Sequence, residues 1–589
     1  MKGNIIKKKK RYWRMLLLVG LLFSIGCSKG EEHTGQAEQE TQGWEKIPDQ
    51  QVEGTEQEED SQAAASTSVT EGTEQIEDSQ TTAGTSIAEG EKQTEDNLSG
   101  EGTSSAAQAE SSADTQSAET IQPGKPIQWK SAPTLSQTQW VDNRYTDAGI
   151  LLVEGLFETV EVSGTGYEVV GEAIKDWFLQ REDGFVETVD AHEESALEQT
   201  VNAPDFRGYS HSLSCSPTRA DSGVISLRCL YYLYSGGAHG NYGSEGVTFD
   251  SHSGQQLSFW DLAENREAFS QWTLEETLRQ VGEEAEGLFA DYEDTIRTVW
   301  ENEPNWYLDA AGITIIFQPY EIGTYARGEV CVTLPYPELA SLLRPEYQMG
   351  SSAGMAVLPE GVVTEVSLGR ESGERKKLRL FTDNLNMGFR QYMLEIGNQT
   401  EMVAELDRLC EQYLLQREDG RSFLLFYGDM ASDDYVTYVY EITDGQIRQT
   451  QEPLSGTAIK EGTVTVERME LGTRIDVLGT YTAYSNYILA EDGTLHQEGE
   501  WYSIGSTYET HILTNIRELP VTVNGQKTVL PAGSKIRLTA TDGKGLVRYQ
   551  RIDSVEEGEI AFTREEDGWS VYIDGVQETE YFEDLPYAG

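Results

Sequence analysis

The sequence predicts an α+β fold, a mixed helix-on-antiparallel-sheet domain followed by a mainly β C-terminal region that ends in an SH3-like barrel. Three observations lead to this prediction. A pattern of strand, turn and strand extends from Trp306 to Leu339. A stripe of apolar residues at helical spacing extends from Trp260 to about Trp300. Short strands with Asp-Gly turns fill the chain after Tyr347.

The first 27 residues have the features of an export signal. A basic stretch precedes an apolar run from Met15 to Phe23, which is shorter than a membrane span. The small residues before Cys27 resemble the lipobox of bacterial lipoproteins. This resemblance implies a lipoprotein signal peptide over residues 1–27 and lipidation of Cys27. Ordinary secretion and an uncleaved signal anchor are the alternatives, and each of them also exports the chain that follows.

Residues 28–125 are predicted to form a disordered acidic repeat linker. A repeat begins at Glu53, Glu71 and Glu89, at intervals of 18 residues. Its units carry no apolar face to stack, so burial cannot offset the entropy of ordering them. Such a linker, at about 3.3 Å per residue, reaches on the order of 300 Å. That reach suits a lipoprotein on a Gram-positive-type cell surface.

The chain is strongly acidic, with 101 Asp and Glu residues against 44 Lys and Arg residues and a net charge of -57. Such a charge repels nucleic acid, so no nucleic-acid partner is expected. It has two interpretations. It keeps an extracellular protein soluble, or it attracts a cationic partner.

Residues 126–347 are predicted to form one α+β domain. A Glu-Asp-Gly sequence at residues 182–184 is expected to separate two helices, because glycine and aspartate favour turns. HEESA at His192 lacks the second histidine of a zinc-protease helix. The predicted elements are strands at Ile150–Val153, Val160–Val162, Tyr209–Ser214, Val224–Tyr234, Trp306–Leu308, Ile313–Phe317 and Val330–Leu334, and helices at Tyr167–Leu179, Val189–Val201 and Trp260–Trp300.

A rigid turn is expected after the strand Ile313–Phe317, because Pro319 donates no N–H to a sheet. The side chains of Tyr320, Glu321 and Tyr325 are therefore predicted to lie at a sheet rim.

The second candidate site is the glycine loop that contains Gly236, Gly237 and His239. Glycines let backbone N–H groups approach a ligand, and a histidine can act as an acid, a base or a metal ligand. No second histidine, cysteine or acidic pair falls at ligand spacing nearby, which favours a structural loop and predicts no metal site.

Cysteines are sparse for an exported chain, and they lack the spacing of a disulfide scaffold or a metal site. Cys215 and Cys229 flank a predicted turn, so they are the one pair that we would test for a bridge. Buried free thiols are the expected state.

The C-terminal region is predicted to comprise a mainly β domain at residues 357–515 and a barrel at residues 517–589. A helix is expected from Thr400 to Leu415, with Cys410 on its apolar side. LPAGSKIRLTATDGKGLVRYQRID, which follows Leu519, and GWSVYIDG resemble a bacterial SH3-like barrel.

Two stretches resemble a bacterial extracytoplasmic family. WYLDAAGITIIFQPYEIGTYARGEVCVTLPYPEL and, upstream, LYYLYSGGAHGNYGSEGVTFDSHSGQQLSFWDL are similar to the DUF3298 domain, which usually follows a DUF4163-type half. The pair forms the extracellular domain of lysozyme-sensing anti-sigma factors, and a related module precedes the catalytic domain of some peptidoglycan deacetylases. The resemblance implies ligand binding through loops, at Tyr320, Glu321, Tyr325 and the glycine loop around His239.

Direct anti-sigma activity is not expected, because only a short basic stretch precedes the apolar run. No nucleophile elbow, zinc-protease, phosphate-loop or dinucleotide motif occurs, so no cofactor and no catalytic residue is predicted. The predicted function is a non-enzymatic ligand-binding or sensing lipoprotein on the outer face of the cytoplasmic membrane. Its ligand would be a lysozyme-like protein or peptidoglycan fragments. The alternatives are an envelope enzyme that acts on wall glycans and a scaffold for other envelope proteins.

Overall fold

The computed structural model describes residues 131–587, except 147–149, 203–205, 207, 351, 370–373, 387–388, 433, 506–511, 553, 555, 566–569 and 584. The predicted signal peptide (residues 1–27), the lipidation site Cys27 and the linker (residues 28–125) lie outside the described residues. Within the described part of the chain, no helix combines the length and apolar character needed to cross a membrane.

Residues 134–250 form one long helix and the strands around it. Strands β3 (Leu151–Ser163) and β4 (Tyr209–Ala220) pair in parallel, with helix α1 (Glu168–Asn202) as the connection between them, so this segment is a β-α-β unit. Strand β4 then forms an antiparallel meander with β5 (Val224–Tyr234) and β6 (Asn241–Asp250). The bounds are β1 (Thr134–Val141), β2 (Arg144–Tyr145), β3 (Leu151–Ser163), α1 (Glu168–Asn202), β4 (Tyr209–Ala220), β5 (Val224–Tyr234) and β6 (Asn241–Asp250).

Helix α1 continues through the Glu-Asp-Gly sequence, so the prediction of two separate helices was wrong. Phe185 and Val189 follow directly and are both buried in the core. A glycine inside a helix costs about 1 kcal/mol, whereas burying a large apolar side chain contributes about 1.5–3 kcal/mol. Packing against the sheet therefore outweighs the local preference for a break.

Residues 259–347 form a small three-stranded sheet with helices. The strands that the sequence predicted between Trp306 and Leu334 are confirmed, each with one of its two ends shifted by one residue. The prediction of one continuous helix from Trp260 to Trp300 is wrong, because the structure has two α-helices in this range. The first helix ends at Glu283, and beyond it Gly287 has φ +79° and the N–H of Phe289 bonds to the carbonyl of Ile322. The bounds are a 3-10 helix (Phe259–Leu262), α2 (Arg266–Glu283), α3 (Tyr292–Asn302), β7 (Asn305–Leu308), β8 (Gly312–Phe317), β9 (Val330–Pro335) and α4 (Tyr336–Leu339).

Residues 354–459 are strands, and the predicted helix from Thr400 to Leu415 is wrong. Tyr413, Leu414 and Leu415 are consecutively buried because their strand lies between two others, and such a run cannot be distinguished from a buried helix by periodicity. The bounds are β10 (Gly354–Val357), β11 (Thr364–Ser367), β12 (Arg375–Asn386), β13 (Phe389–Ile396), β14 (Gln399–Leu406), β15 (Arg408–Gln416), β16 (Ser422–Asp429), β17 (Tyr435–Glu441), β18 (Arg448–Gln449), β19 (Leu454–Ser455) and β20 (Thr457–Ile459).

Residues 468–577 are also strands, in line with the mainly β character predicted for this region. One sheet joins strands from both sides of residue 516, and its apolar residues share a core. The bounds are β21 (Arg468–Asp476), β22 (Thr480–Leu489), β23 (Leu495–Gln497), β24 (Tyr502–Ile504), β25 (Ile512–Thr514), β26 (Leu519–Val523), β27 (Gln526–Leu530), β28 (Lys535–Thr541), β29 (Leu546–Arg551), β30 (Glu557–Ala561), β31 (Thr563–Arg564), β32 (Val571–Ile573) and β33 (Val576–Gln577).

The largest sheet has 12 strands and connects the predicted α+β domain to the region after it. Its main path is β1-β3-β4-β10-β15-β16-β17-β18, with β5 and β6 added at β4. A four-stranded sheet (β11 to β14) and an 11-stranded sheet (β20 to β30) follow, and β7-β8-β9 and β31-β32-β33 form three-stranded sheets. Strand β7 contacts β4, β5 and β6, so the small sheet β7-β8-β9 lies against the large one.

A buried arginine connects strand β4 to the segment after β9. Arg219 is 1% exposed, and its guanidinium donates to the carboxylate of Asp221 at 2.8 Å and to the hydroxyl of Tyr336 at 2.6 Å. It also donates to the backbone carbonyls of Tyr347 and Gln348, at 2.7 and 3.1 Å. Because a buried charge is stable only when its donors are paired, these contacts hold the two segments together.

Cys215 and Cys229 form a disulfide, so the expectation of free thiols was wrong. The two residues lie directly opposite each other on β4 and β5, with a Cα–Cα distance of 4.0 Å. The register of the hairpin brings the thiols together. Of the other cysteines in the described part of the chain, Cys331 is exposed and Cys410 is half-buried, and both are free.

The double variant Cys215→Ala, Cys229→Ala is expected to have a free energy of unfolding that is lower by about 2–4 kcal/mol. The reason is that the bridge reduces the conformational entropy of the unfolded chain. Urea denaturation of the full chain measures this loss. Cys331→Ala serves as the control, since that thiol is exposed and unbridged. Equal stability of the double variant and the control would show that the bridge does not stabilise the fold.

Two histidines lie between helix α1 and strand β4. The ring of His211 stacks on Phe185 at 4.2 Å between centroids and lies 6.3 Å from the ring of His192. The Nδ1 atom of each histidine is buried without a hydrogen-bond partner. Burial, and then the charge of His192, lowers the pKa of His211 to about 4, while burial lowers that of His192. Both rings are therefore expected to be neutral in the folded protein at neutral pH.

Acid is expected to destabilise the fold through His211. Its pKa is about 4 when folded and about 6.5 when unfolded, so the unfolded chain binds the proton first as the pH falls. Between pH 7 and pH 5 this linkage removes about 2 kcal/mol from the free energy of unfolding. Urea denaturation at both pH values should give a smaller loss for His211→Gln than for the control His239→Gln. Identical losses in the two variants would contradict the assignment.

Candidate ligand-binding rim

The structure brings the two predicted site regions together at one rim. The glycine loop between β5 and β6 lies against the turn that follows β8. Four side chains form a continuous aromatic group, which we call the aromatic rim: His239, Tyr242, Tyr320 and Tyr325. Of these, His239, Tyr320 and Tyr325 were predicted from the sequence, and Tyr242 was not.

The rings of the aromatic rim are arranged around Tyr325. His239 stacks on Tyr325 with centroids 4.1 Å apart and planes 19° from parallel. Tyr320 lies 5.4 Å from Tyr325, and Tyr242 meets it edge to face at 5.8 Å. Tyr320 is 58% exposed and His239 is also exposed, so the rim presents aromatic surface to solvent. Exposed aromatic rings with polar tips are enriched at binding surfaces.

Backbone contacts hold the rim in place. The Tyr325 hydroxyl donates to the carbonyl of Gly240 at 2.6 Å, and Nδ1 of His239 lies 2.9 Å from the same oxygen. Partial desolvation, and then the neighbouring tyrosines, raises the pKa of Tyr325, so this hydroxyl keeps its proton. A Cβ at Gly240 would come within 2.6 Å of the Tyr232 ring, so a larger residue there would require that ring to move.

Gly236 and Gly237 shape the loop rather than the rim surface. Both have φ +96°, a conformation that favours glycine. The carbonyl of Gly237 accepts a hydrogen bond from the Tyr234 hydroxyl at 3.3 Å. This backbone conformation lets the chain turn just ahead of His239, whose ring packs on Tyr325.

Glu321 holds the turn after β8. Its carboxylate accepts a hydrogen bond from the N–H of Gln318 at 2.8 Å, and its own N–H donates to the carbonyl of Gln318 at 3.0 Å. Burial raises its pKa. Tyr320, between these residues, has φ +69°. The turn thus exposes the side chain of Tyr320, whereas the carboxylate of Glu321 bonds to the backbone of the same turn. The sequence placed both side chains at a sheet rim.

Two side-chain amides attach the small sheet to strand β6, and the sequence analysis missed both. Gln318 accepts from the N–H of Ser244 at 3.0 Å and donates to its carbonyl at 2.6 Å. Asn305 accepts from the N–H of Gly246 at 2.9 Å and donates to the Ser244 carbonyl at 2.7 Å. The amides replace the ladder bonds that a neighbouring strand would make. Polar residues at the ends of apolar strands were the available signal.

The chemistry available at the aromatic rim is recognition by stacking and hydrogen bonding. Phenol hydroxyls and an imidazole can donate and accept, and the rings offer flat apolar faces. In the described ranges, no group of three or more His, Cys, Asp or Glu residues could hold a metal ion.

Comparison with known proteins finds a DUF3298 domain, "Protein of unknown function (DUF3298)", at residues 259–337. A DUF3298 family structure from Bacteroides fragilis NCTC 9343 is 18% identical, covering 37% of this chain and 96% of its own, with a TM-score of 0.30. A DUF3298 family protein from Pseudomonas aeruginosa PAO1 is also 18% identical, covering 36% and 96%, with a TM-score of 0.25. No curated protein matches the chain.

Removing the Gln318 amide is expected to destabilise the rim. Gln318→Leu leaves the N–H of Ser244 without its partner, which should lower the free energy of unfolding by about 1–3 kcal/mol. Urea denaturation measures this change. Gln271→Leu is the matched control, because Gln271 bonds to Glu275 on an exposed helix face. An equally small effect in both variants would contradict the role of Gln318.

Proposed function

We propose that this chain is a non-enzymatic ligand-binding or sensing protein of the bacterial cell surface, and that its ligand contacts the aromatic rim. The observation that carries the proposal is that two stretches, distant in sequence, meet in one exposed group of rings around Tyr325. The first ligand to test is a cationic protein of the lysozyme type, and peptidoglycan fragments are the second.

The composition of the rim suits recognition of a protein. Tyrosine supplies a large contact area at a low entropy cost, because its side chain has two rotatable bonds. Tyr325 is held by the Gly240 carbonyl and by the stacked ring of His239, so its side chain would lose little conformational entropy on binding. Exposed Tyr320 would be the first ring to make contact.

The charge of the chain also favours a cationic ligand. With a net charge of -57, the chain attracts positively charged proteins over a distance set by the salt concentration. Such a field accelerates the association of cationic proteins. The rim would then provide the specific contacts once the partner has arrived.

The remainder of the chain would display this domain away from the membrane. In this proposal residues 1–27 direct export, Cys27 carries the lipid anchor, and residues 28–125 form the tether. A DUF4163-type half would precede the DUF3298 domain, and an SH3-like barrel would lie at residues 517–589. The export features and the acidic repeat of the sequence support this arrangement.

Calorimetric titration of the full chain with a cationic lysozyme tests the proposal. We expect saturable binding at micromolar concentration or tighter that persists at about 0.5 M salt, where surface electrostatics are screened. Tyr320→Ala should weaken binding about tenfold, as loss of a central aromatic contact does. Tyr145→Ala is the control, because Tyr145 is an exposed tyrosine outside the rim.

Absence of heat, or heat that disappears at high salt, would exclude a specific lysozyme ligand. Peptidoglycan fragments would then be titrated with the same two variants. Equal affinity of the Tyr320 and Tyr145 variants for either ligand would exclude the aromatic rim as the binding surface.

A further inference from the structure

A second candidate site lies in the C-terminal half of the chain, where strands β15, β16 and β17 of the 12-stranded sheet meet β20 and β22 of the 11-stranded sheet. A cavity of about 490 Å³ opens here, a volume within the range of small-molecule sites. The side chains that line it are Arg408, Leu409, Cys410, Tyr427, Tyr435, Ala458, Thr482 and Tyr484.

A β-bulge shapes one wall of the cavity. The pairing of β15 with β16 shifts between Leu409 and Glu411, which leaves Cys410 as the extra residue. Bulges redirect side chains and occur often beside functional sites. The Arg408 side chain lies within hydrogen-bonding reach of the Cys410 thiol, and burial raises the pKa of that thiol.

Three tyrosines contribute ring faces and hydroxyls. Tyr427 and Tyr435 lie on adjacent strands, with centroids 6.1 Å apart and planes tilted by 55°. Tyr484 lies on β22 of the 11-stranded sheet. Its ring packs so closely on Gly472 that a Cβ on residue 472 would come within 2.8 Å of the ring. Aromatic faces together with hydroxyl groups suit a ring-shaped ligand rich in hydroxyls, because its C–H groups pack on the rings and its hydroxyls bond to the phenols and Thr482.

The guanidinium in the cavity lining favours a negative group on that ligand. Arg408 is the charged residue in the lining, and Nζ of Lys460 lies 5.0 Å from the ring centre of Tyr484, paired with Glu470. A guanidinium matches the geometry of a carboxylate.

We propose that this cavity binds a saccharide that carries a carboxylate, with Arg408 contacting the carboxylate and Tyr427, Tyr435 and Tyr484 contacting the sugar rings. This site is separate from the aromatic rim and goes beyond the proposed function. Its occupancy would be independent of any ligand at Tyr320.

The free cysteines of the chain provide a direct assay. Cys410 lines the cavity, whereas Cys331 is exposed and is not part of the lining. The full chain is alkylated with iodoacetamide, and mass spectrometry follows each cysteine peptide separately. Digalacturonic acid at about 10 mM, a concentration that detects millimolar affinity, should slow alkylation of Cys410 and leave that of Cys331 unchanged.

Two matched compounds identify the chemical class. The dimethyl ester of digalacturonic acid keeps the sugar rings and removes the charge, so it should protect Cys410 about tenfold less well. Cyclohexanecarboxylate keeps the charge and lacks the hydroxyls, and it should protect less well than the sugar acid. Equal protection by the ester would overturn the role of Arg408. Equal protection by cyclohexanecarboxylate would overturn the saccharide assignment.

Variants test the assigned contacts. Arg408→Gln should weaken protection by the sugar acid about tenfold, to the level of the ester, while Arg297→Gln, on an exposed helix, should not. Thr482→Val, at an exposed position, should weaken protection by both sugars. No protection by any compound, or equal slowing at Cys331, would overturn the proposal.

Discussion

The fold depends on the buried guanidinium of Arg219. A charge that is 1% exposed is tolerated because each nitrogen of its planar group finds an acceptor: Asp221, the Tyr336 hydroxyl and two backbone carbonyls. Asp221 in turn accepts from the N–H groups of Gly223 and Val224 and so shapes the turn between β4 and β5. Removing the carboxylate of Asp221 would leave an uncompensated charge in the core.

The same network positions the DUF3298 domain against the large sheet. The Tyr336 hydroxyl donates to the carbonyl of Asp309 at 3.2 Å, while the carboxylate of Asp309 accepts from Ala311, Gly312 and Thr314 in the turn between β7 and β8. At the other end of these strands, the amides of Asn305 and Gln318 bond to β6. The small sheet is therefore attached at both ends, which holds the turn that carries Tyr320 beside the glycine loop.

The candidate site illustrates how far sequence reasoning reaches. Pro319 indicated a turn, so Tyr320 and Tyr325 were predicted to lie at a sheet rim, and their rings lie 5.4 Å apart in the structure. Glu321 was also placed at the surface, but the N–H of Gln318 needs an acceptor and the carboxylate supplies it. Gln318 and Asn305 were missed, because their position at the ends of apolar strands does not show which strand their amides will meet. The helix predicted across Cys410 failed for a related reason, since an apolar run buried on both faces suits a strand or a helix equally.

The sequence by itself determined the local features of this protein: the strand Ile313–Phe317, the turn at Pro319, the loop at Gly236 and the strong negative charge. Those features depend on neighbours along the chain, whose conformational preferences can be read directly. The tertiary structure alone decided the contacts between distant segments. Tyr325 meets Gly240 across 85 residues, and Arg219 meets Gln348 across 129. Such contacts form because packing and hydrogen-bond satisfaction are optimised for the whole molecule, and no local pattern encodes which partner each side chain finds.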